Sequence, residues 1–177
     1  MWDKMLKKAG DYAYFFVRVI LKMLDITDRE GPADKGSYIS DFHLNIQENL
    51  DRSISARLRC TPDAFLSLTG NKKKANYFLE VDRATESNRR WQDKVRGYVE
   101  YVLSGKYYEK FKSEALRIIT VTTTQERLNN LLKTTKRVKN ADFFLFTTFR
   151  QIKDNNVLFG NIWKDSATNS LTRLVKF

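Results

Sequence analysis

The chain has almost no cysteine or histidine: Cys60 and His43 are single examples in 177 residues. One thiol excludes an internal disulfide framework, and together with one imidazole it excludes a zinc site built from several Cys or His ligands. Cys60 reads as a small apolar residue rather than a nucleophile, His43 reads as a hydrogen-bonded structural residue rather than a base, and the setting is expected to be reducing and cytoplasmic. Two prolines and seven glycines leave little material for long disordered linkers. Long hydrophobic runs are also missing. The most apolar stretch, Tyr12 to Ile26, is interrupted by Arg18, Lys22 and Asp25, has no small-residue cleavage site, and falls short of the roughly 20 apolar residues of a membrane span. It reads as a helix packed on protein, with no membrane partner, or as the surface of a homodimer or domain contact. Neither phosphate-cradling glycine motif occurs, G-x-x-x-x-G-K-[ST] or G-x-G-x-x-G, and there is no internal repeat.

What is present is a core and a charge. Hydrophobic residues make up 42% and aromatic residues 13%, enough for one domain with a full interior. We expect an N-terminal helix and loop over residues 1–36 and a folded domain over 37–177. The formal net charge is +11, which favours an anionic partner, most commonly nucleic acid. It is unevenly placed. Residues 1–60 carry 10 basic and 9 acidic side chains, and residues 61–177 carry 22 and 12.

Hydrophobic periodicity orders the elements. Residues 3–25 read as a helix, 27–37 as a loop, and Ser40-Asp41 as the cap of a helix through about Ser53 carrying His43, Asn45 and Glu48. Ala64 to Leu68 and Tyr77 to Asp82 read as strands joined by a lysine-rich turn. A helix from Ser87 to about Leu103 follows, because Trp91, Val95, Tyr98 and Val102 recur on one stripe. A short helical piece over 107–113, a β-branched strand from Arg117 to Thr122, a helix opening at Thr124, and an apolar strand within Ala141 to Thr148 come next. The tail, with Trp163 and then Leu171 to Phe177, is expected to close the sheet with a strand or hairpin. A strand, a helical crossover and another strand imply a parallel pair, so the expected fold is a mixed α/β sheet flanked by helices.

Acids in the apolar strands are the chemical signal. Period-two alternation puts Phe78, Glu80 and Asp82 on one face of their strand, and antiparallel pairing in suitable register sets Asp63 beside Glu80 and Asp82. Carboxylates in such surroundings need a cation, a metal or hydrogen-bond donors. Lys94, on the flank of the buried helix stripe, is placed to lean toward them. Mutual salt bridging is the structural reading of the group. The chemical reading is phosphodiester hydrolysis, in which Asp63 and Glu80 would hold Mg²⁺ or Mn²⁺, Asp82 would assist, and Lys94 would act near the phosphate. Arg83, Arg89, Arg90 and Arg96 follow the acids and are either phosphate contacts or a solvated helix face. Lys133, Lys136, Arg137 and Lys139 lie in a run without a balancing acid and form the preferred sequence-independent DNA patch. Tyr98 is expected in the core, and the threonines from Thr120 to Thr124 are expected to serve strand and cap rather than act as nucleophiles.

The residues Pro62-Asp63-Ala64, Phe78-Leu79-Glu80-Val81-Asp82-Arg83-Ala84-Thr85-Glu86-Ser87, Lys94 with Tyr98 and Tyr101, and Ile119-Thr120-Val121-Thr122-Thr123 resemble the replication-relaxation family of plasmid and mobile-element proteins. His43-Leu44-Asn45 resembles its leading motif. The resemblance spans roughly residues 40–150 and implies a part in plasmid replication or in relaxation of DNA before transfer, with DNA and a relaxase or replication protein as partners. Many members carry a winged helix ahead of this region, for which the chain has little room. The pattern also resembles the restriction-endonuclease-like core, Pro-Asp followed by Asp/Glu-x-Lys. Asp63 and Glu80 match its metal-binding acids, Glu48 is similar to the acid of its preceding helix, and Asp82 stands where the lysine belongs, with Lys94 as the substitute. The resemblance thus implies a DNA-binding accessory protein with a degenerate site, an active metal-dependent nuclease, or a protein-interaction module.

Overall fold

The computed structural model describes residues 43–47, 62–70 and 73–175. The expected N-terminal helix, the loop after it, Glu48 and Cys60 lie outside these residues, as does the side chain of His43. Seven strands form one open sheet in the order of the chain: β1 His43–Gln47, β2 Ala64–Gly70, β3 Lys73–Asp82, β4 Leu116–Thr122, β5 Phe144–Thr148, β6 Trp163–Asp165 and β7 Leu171–Thr172. The pairs β1–β2 and β2–β3 are antiparallel, β3–β4 and β4–β5 parallel, and β5–β6 and β6–β7 antiparallel. Four helices accompany them among the described residues: α1 Asn88–Leu103, α2 Lys106–Phe111, α3 Gln125–Thr135 and α4 Phe149–Asp154. The mixed sheet with flanking helices is the expected class, and the tail does supply the closing hairpin.

One expectation fails at the start. Residues expected in a helix from Ser40 to Ser53 include strand β1, paired with β2 from His43 opposite Thr69 to Gln47 opposite Phe65. The segment His43-Leu44-Asn45-Ile46-Gln47 alternates polar and apolar, which is the period of a strand, and pairing satisfies the backbone of β2 on that side.

Strands β2 to β5 are buried on both faces. Phe65, Phe78, Ile118, Phe144 and Phe146 form one core with Trp91, Val95 and Tyr98 of α1, Tyr107 of α2, and Leu128 and Leu131 of α3. Leu66, Tyr77, Leu79, Val81, Ile119 and Leu145 face the other way onto Ile152 of α4, Val157, Ile162, Trp163 and Leu174. The Tyr77 hydroxyl donates to the Leu174 carbonyl at 2.9 Å, tying the tail to this second core. Helix α1 starts where Ser87 accepts from the Arg90 amide and stops at Ser104, after which Gly105 takes a φ of 76° that favours glycine. Its stripe of Trp91, Val95 and Tyr98 is fully buried, and the indole of Trp91 donates to Thr135 of α3 at 2.9 Å. Lys94 is therefore held over the end of β3 by a helix that cannot roll without exposing aromatic surface.

Candidate functional site

The C-terminal ends of β3 and β4 meet the first turns of α1 and α3, and two ionic groups occupy this edge. Glu80 is the centre of the first. Its side chain is 2% exposed, Tyr98 donates its hydroxyl to Oε1, and Lys94 Nζ donates to Oε2 at 2.9 Å. Lys94, 24% exposed, also lies 3.4 Å from Glu86. Asp63, immediately before β2, accepts from the Val81 amide at 2.7 Å and donates its own amide to the Leu79 carbonyl at 2.9 Å. Those two bonds fix it alongside Glu80, as the register of Ala64 opposite Leu79 requires.

Burial dominates the carboxyl groups. It pushes Glu80 up to about 7, reinforced by the charge on Asp63 and opposed by Lys94 and Tyr98. Asp63 is likewise raised by burial, against the Val81 amide and Lys94. For Lys94 burial acts to lower the ammonium pKa, and Glu80, Glu86 and Asp63 together overcome it and hold the value above the ordinary range. The two ends of one salt bridge thus shift upward together: Lys94 stays protonated, and Glu80 is the member that takes a proton first on acidification.

Asp82 belongs to a second group. Arg127 grips it with Nε on Oδ2 and Nη2 on Oδ1, both at 2.9 Å, while the Thr122 hydroxyl donates at 2.6 Å and the Ala84 amide at 3.2 Å. Arg127 further donates to the Glu86 carbonyl at 2.7 Å and to Asn88 Oδ1 at 3.1 Å. Burial alone would raise Asp82; the Arg127 and Thr122 hydrogen bonds outweigh it and pull the carboxyl below the usual range. The segment from Arg83 to Ser87 is thereby pinned at both ends, although Ala84 sits at a φ of 62°. The expected trio of acids with one amine is divided: Asp63 and Glu80 share Lys94, and Asp82 has its own arginine.

Arg127 and Glu86 are site members that sequence reading passed over. A signal existed for the arginine. Thr124 caps α3 by accepting from the Arg127 amide, so Arg127 lies in a first turn that opens where the parallel strands end. The threonines behave as expected, Thr122 bonding Asp82 and Thr124 capping α3, while Thr120 is fully buried opposite Glu80.

Among the described residues no group of three or more His, Cys, Asp or Glu side chains is arranged to hold a metal ion. Both oxygens of Glu80 are engaged, Oε1 by the Tyr98 hydroxyl and Oε2 by the Lys94 ammonium. A divalent ion held by Asp63 and Glu80 would require Lys94 to move off Oε2. Of the expected phosphate contacts, Arg89, Arg90 and Arg96 are exposed on the outer face of α1, with Arg90 3.2 Å from Glu86 and Arg96 3.4 Å from Asp93. Arg83 is half-buried at the end of β3. Lys133, Lys136, Arg137 and Lys139 are all exposed at and beyond the end of α3, away from Glu80. No described helix is long and apolar enough to cross a membrane.

Residues 33–113 match the family model described as replication-relaxation. The match takes in Asp63, Glu80, Asp82 and Lys94 and ends before β4, so Arg127 and the run from Lys133 to Lys139 lie beyond it. Nothing matches among curated proteins or solved structures.

Proposed function

From membership of the replication-relaxation family over residues 33–113, we propose that the protein is a DNA-binding accessory factor in the replication or relaxation of a plasmid or mobile element, working without bond cleavage of its own. The observation that carries this reading is the internal neutralisation of Glu80. A carboxylate whose two oxygens are taken by a tyrosine hydroxyl and a lysine ammonium is a structural ion pair, and it locks α1 onto β3. DNA is then held by exposed cations, Arg89, Arg90 and Arg96 on α1 and Lys133, Lys136, Arg137 and Lys139 around the end of α3, through phosphate contacts that carry no sequence information.

The second reading is a metal-dependent nuclease with a restriction-endonuclease-like core. What favours it is the placement of Asp63 beside Glu80 with Lys94 delivered from the following helix, together with the change from antiparallel to parallel pairing at β3. It requires Lys94 to release Glu80 so that Mg²⁺ or Mn²⁺ can take its place. Incubation of the protein with supercoiled plasmid and Mn²⁺ separates the two. The accessory reading expects salt-sensitive retention of the plasmid with its supercoiling intact. Nicking that disappears in Asp63→Ala and in Glu80→Ala would transfer the assignment to the nuclease, and a protein that neither retains nor nicks DNA would point to recruitment of a relaxase or replication protein.

A further inference from the structure

The parallel strands β3, β4 and β5 all begin at the edge of the sheet opposite Glu80 and Asp82. Parallel neighbours start on the same side, so the segments leading into them gather there. Two of these segments are strongly basic. Residues 104–117 hold four cations against Glu109 and Glu114, and residues 133–142 hold four against Asp142. They touch: Arg117 Nη1 donates to the Asp142 carbonyl at 3.2 Å, and the Ile118 amide donates to the Phe143 carbonyl at 3.0 Å. Helix α2 is fixed to the same edge, since Asn76 of β3 donates to the Tyr107 hydroxyl at 2.9 Å, that hydroxyl donates to the Ala115 carbonyl at 3.0 Å, and Phe111 stacks on Phe65 with ring centroids 4.7 Å apart. Lys74, Lys112, Arg117, Lys136, Arg137 and Lys139 are exposed there.

Tyr108 stands out on this edge. Its neighbour Tyr107 is buried, whereas Tyr108 is 53% exposed among lysines. A large exposed ring within a positive surface suits unpaired bases, which offer π-faces for stacking while the phosphates meet the cations. Duplex bases hide those faces inside the stack. We infer that this N-terminal edge of the parallel strands, with Tyr108 as its stacking platform, is a binding surface for single-stranded DNA. The inference rests on the DNA-binding reading above and specifies its ligand and its place.

Fluorescence anisotropy with a labelled single-stranded oligonucleotide and its duplex tests it, using wild type, Tyr108→Ala, Tyr108→Phe and the double variant Lys136→Gln/Arg137→Gln. All four substitutions are at exposed positions. Wild type is expected to bind the single strand more tightly than the duplex. Tyr108→Ala should weaken the single-strand affinity about tenfold, the order of one lost stacking contact, and Tyr108→Phe should retain it. The double variant should flatten the salt dependence of single-strand binding by about 0.7 in logarithmic slope for each phosphate contact removed. DNA binding that is unchanged in Tyr108→Ala, or that prefers the duplex, overturns this inference and leaves the DNA-binding reading standing. Absence of binding to either DNA by wild type removes both.

Discussion

Lys94 is the residue on which the ionic group around Glu80 depends. Removing one partner of a buried pair commonly costs about 3–5 kcal/mol because the other charge is stranded. Glu80 has an escape, since burial already lifts it to about 7 and it can accept a proton in place of the ammonium. We therefore expect Lys94→Met to destabilise the fold by about 1–3 kcal/mol, below that range. Adding Glu80→Gln should recover most of the loss, because a neutral amide at the same position still accepts from Tyr98 and carries no charge to neutralise. Urea unfolding of the two single variants and the double variant measures this; Lys94→Met within about 0.5 kcal/mol of wild type would mean that the 2.9 Å contact contributes nothing.

At the scale of elements, Arg127 joins α3 to the end of β3 and to the segment that starts α1. Its planar fork meets both oxygens of Asp82, a geometry that an ammonium cannot reproduce. Arg127→Met is expected to cost about 3 kcal/mol by leaving Asp82 without its cation, and Arg127→Lys should restore less than half of that. Hydrogen exchange of the Ala84 and Arg90 amides should quicken in the same variants, since Arg127 also holds the Glu86 carbonyl and Asn88. Unchanged exchange there would show that the segment keeps its shape without the arginine. Sequence legibility divides along similar lines. Strands β2 and β3 and helix α1 could be read from local alternation and from the Trp91, Val95, Tyr98 stripe, and that stripe placed Lys94 beside the acids. Strand β1 was obscured because its alternating stretch is five residues long and follows Ser40-Asp41, a sound helix cap. The pairing of Asp82 with Arg127 spans 45 residues, and no local pattern encodes which cation a strand acid will meet once the sheet has formed.

Across the whole molecule the two edges of the parallel strands carry different electrostatics. The edge where they begin presents exposed cations in excess of its acids, while the edge where they end buries ion pairs, so pH acts on stability mainly through the latter. Glu80 is raised from an ordinary 4.5 to about 7, so the native state binds its proton more tightly than the unfolded chain. Its contribution is fully present below about 4.5 and is lost as pH rises through about 7. Asp82 is lowered, so its contribution is present above its ordinary range and is lost only as pH falls below it. Lys94 is raised from 10.5; its contribution holds below that value and fades above it. Between about pH 4.5 and 7, then, stability should fall with rising pH by up to about 1.4 kcal/mol per unit from Glu80, and Asp63, also raised by burial, acts in the same direction above its ordinary value. The general effect of net charge runs the other way, because a chain at +11 repels itself less as pH increases. Comparison with Glu80→Gln removes that background, since it is common to both proteins. The gap in unfolding free energy between wild type and Glu80→Gln should shift steadily against wild type from pH 4.5 to 7 and level off above it. A constant gap across that window would show that Glu80 ionises in the folded protein as it does in the unfolded chain, and the ion pair with Lys94 would then be strong enough to cancel its burial.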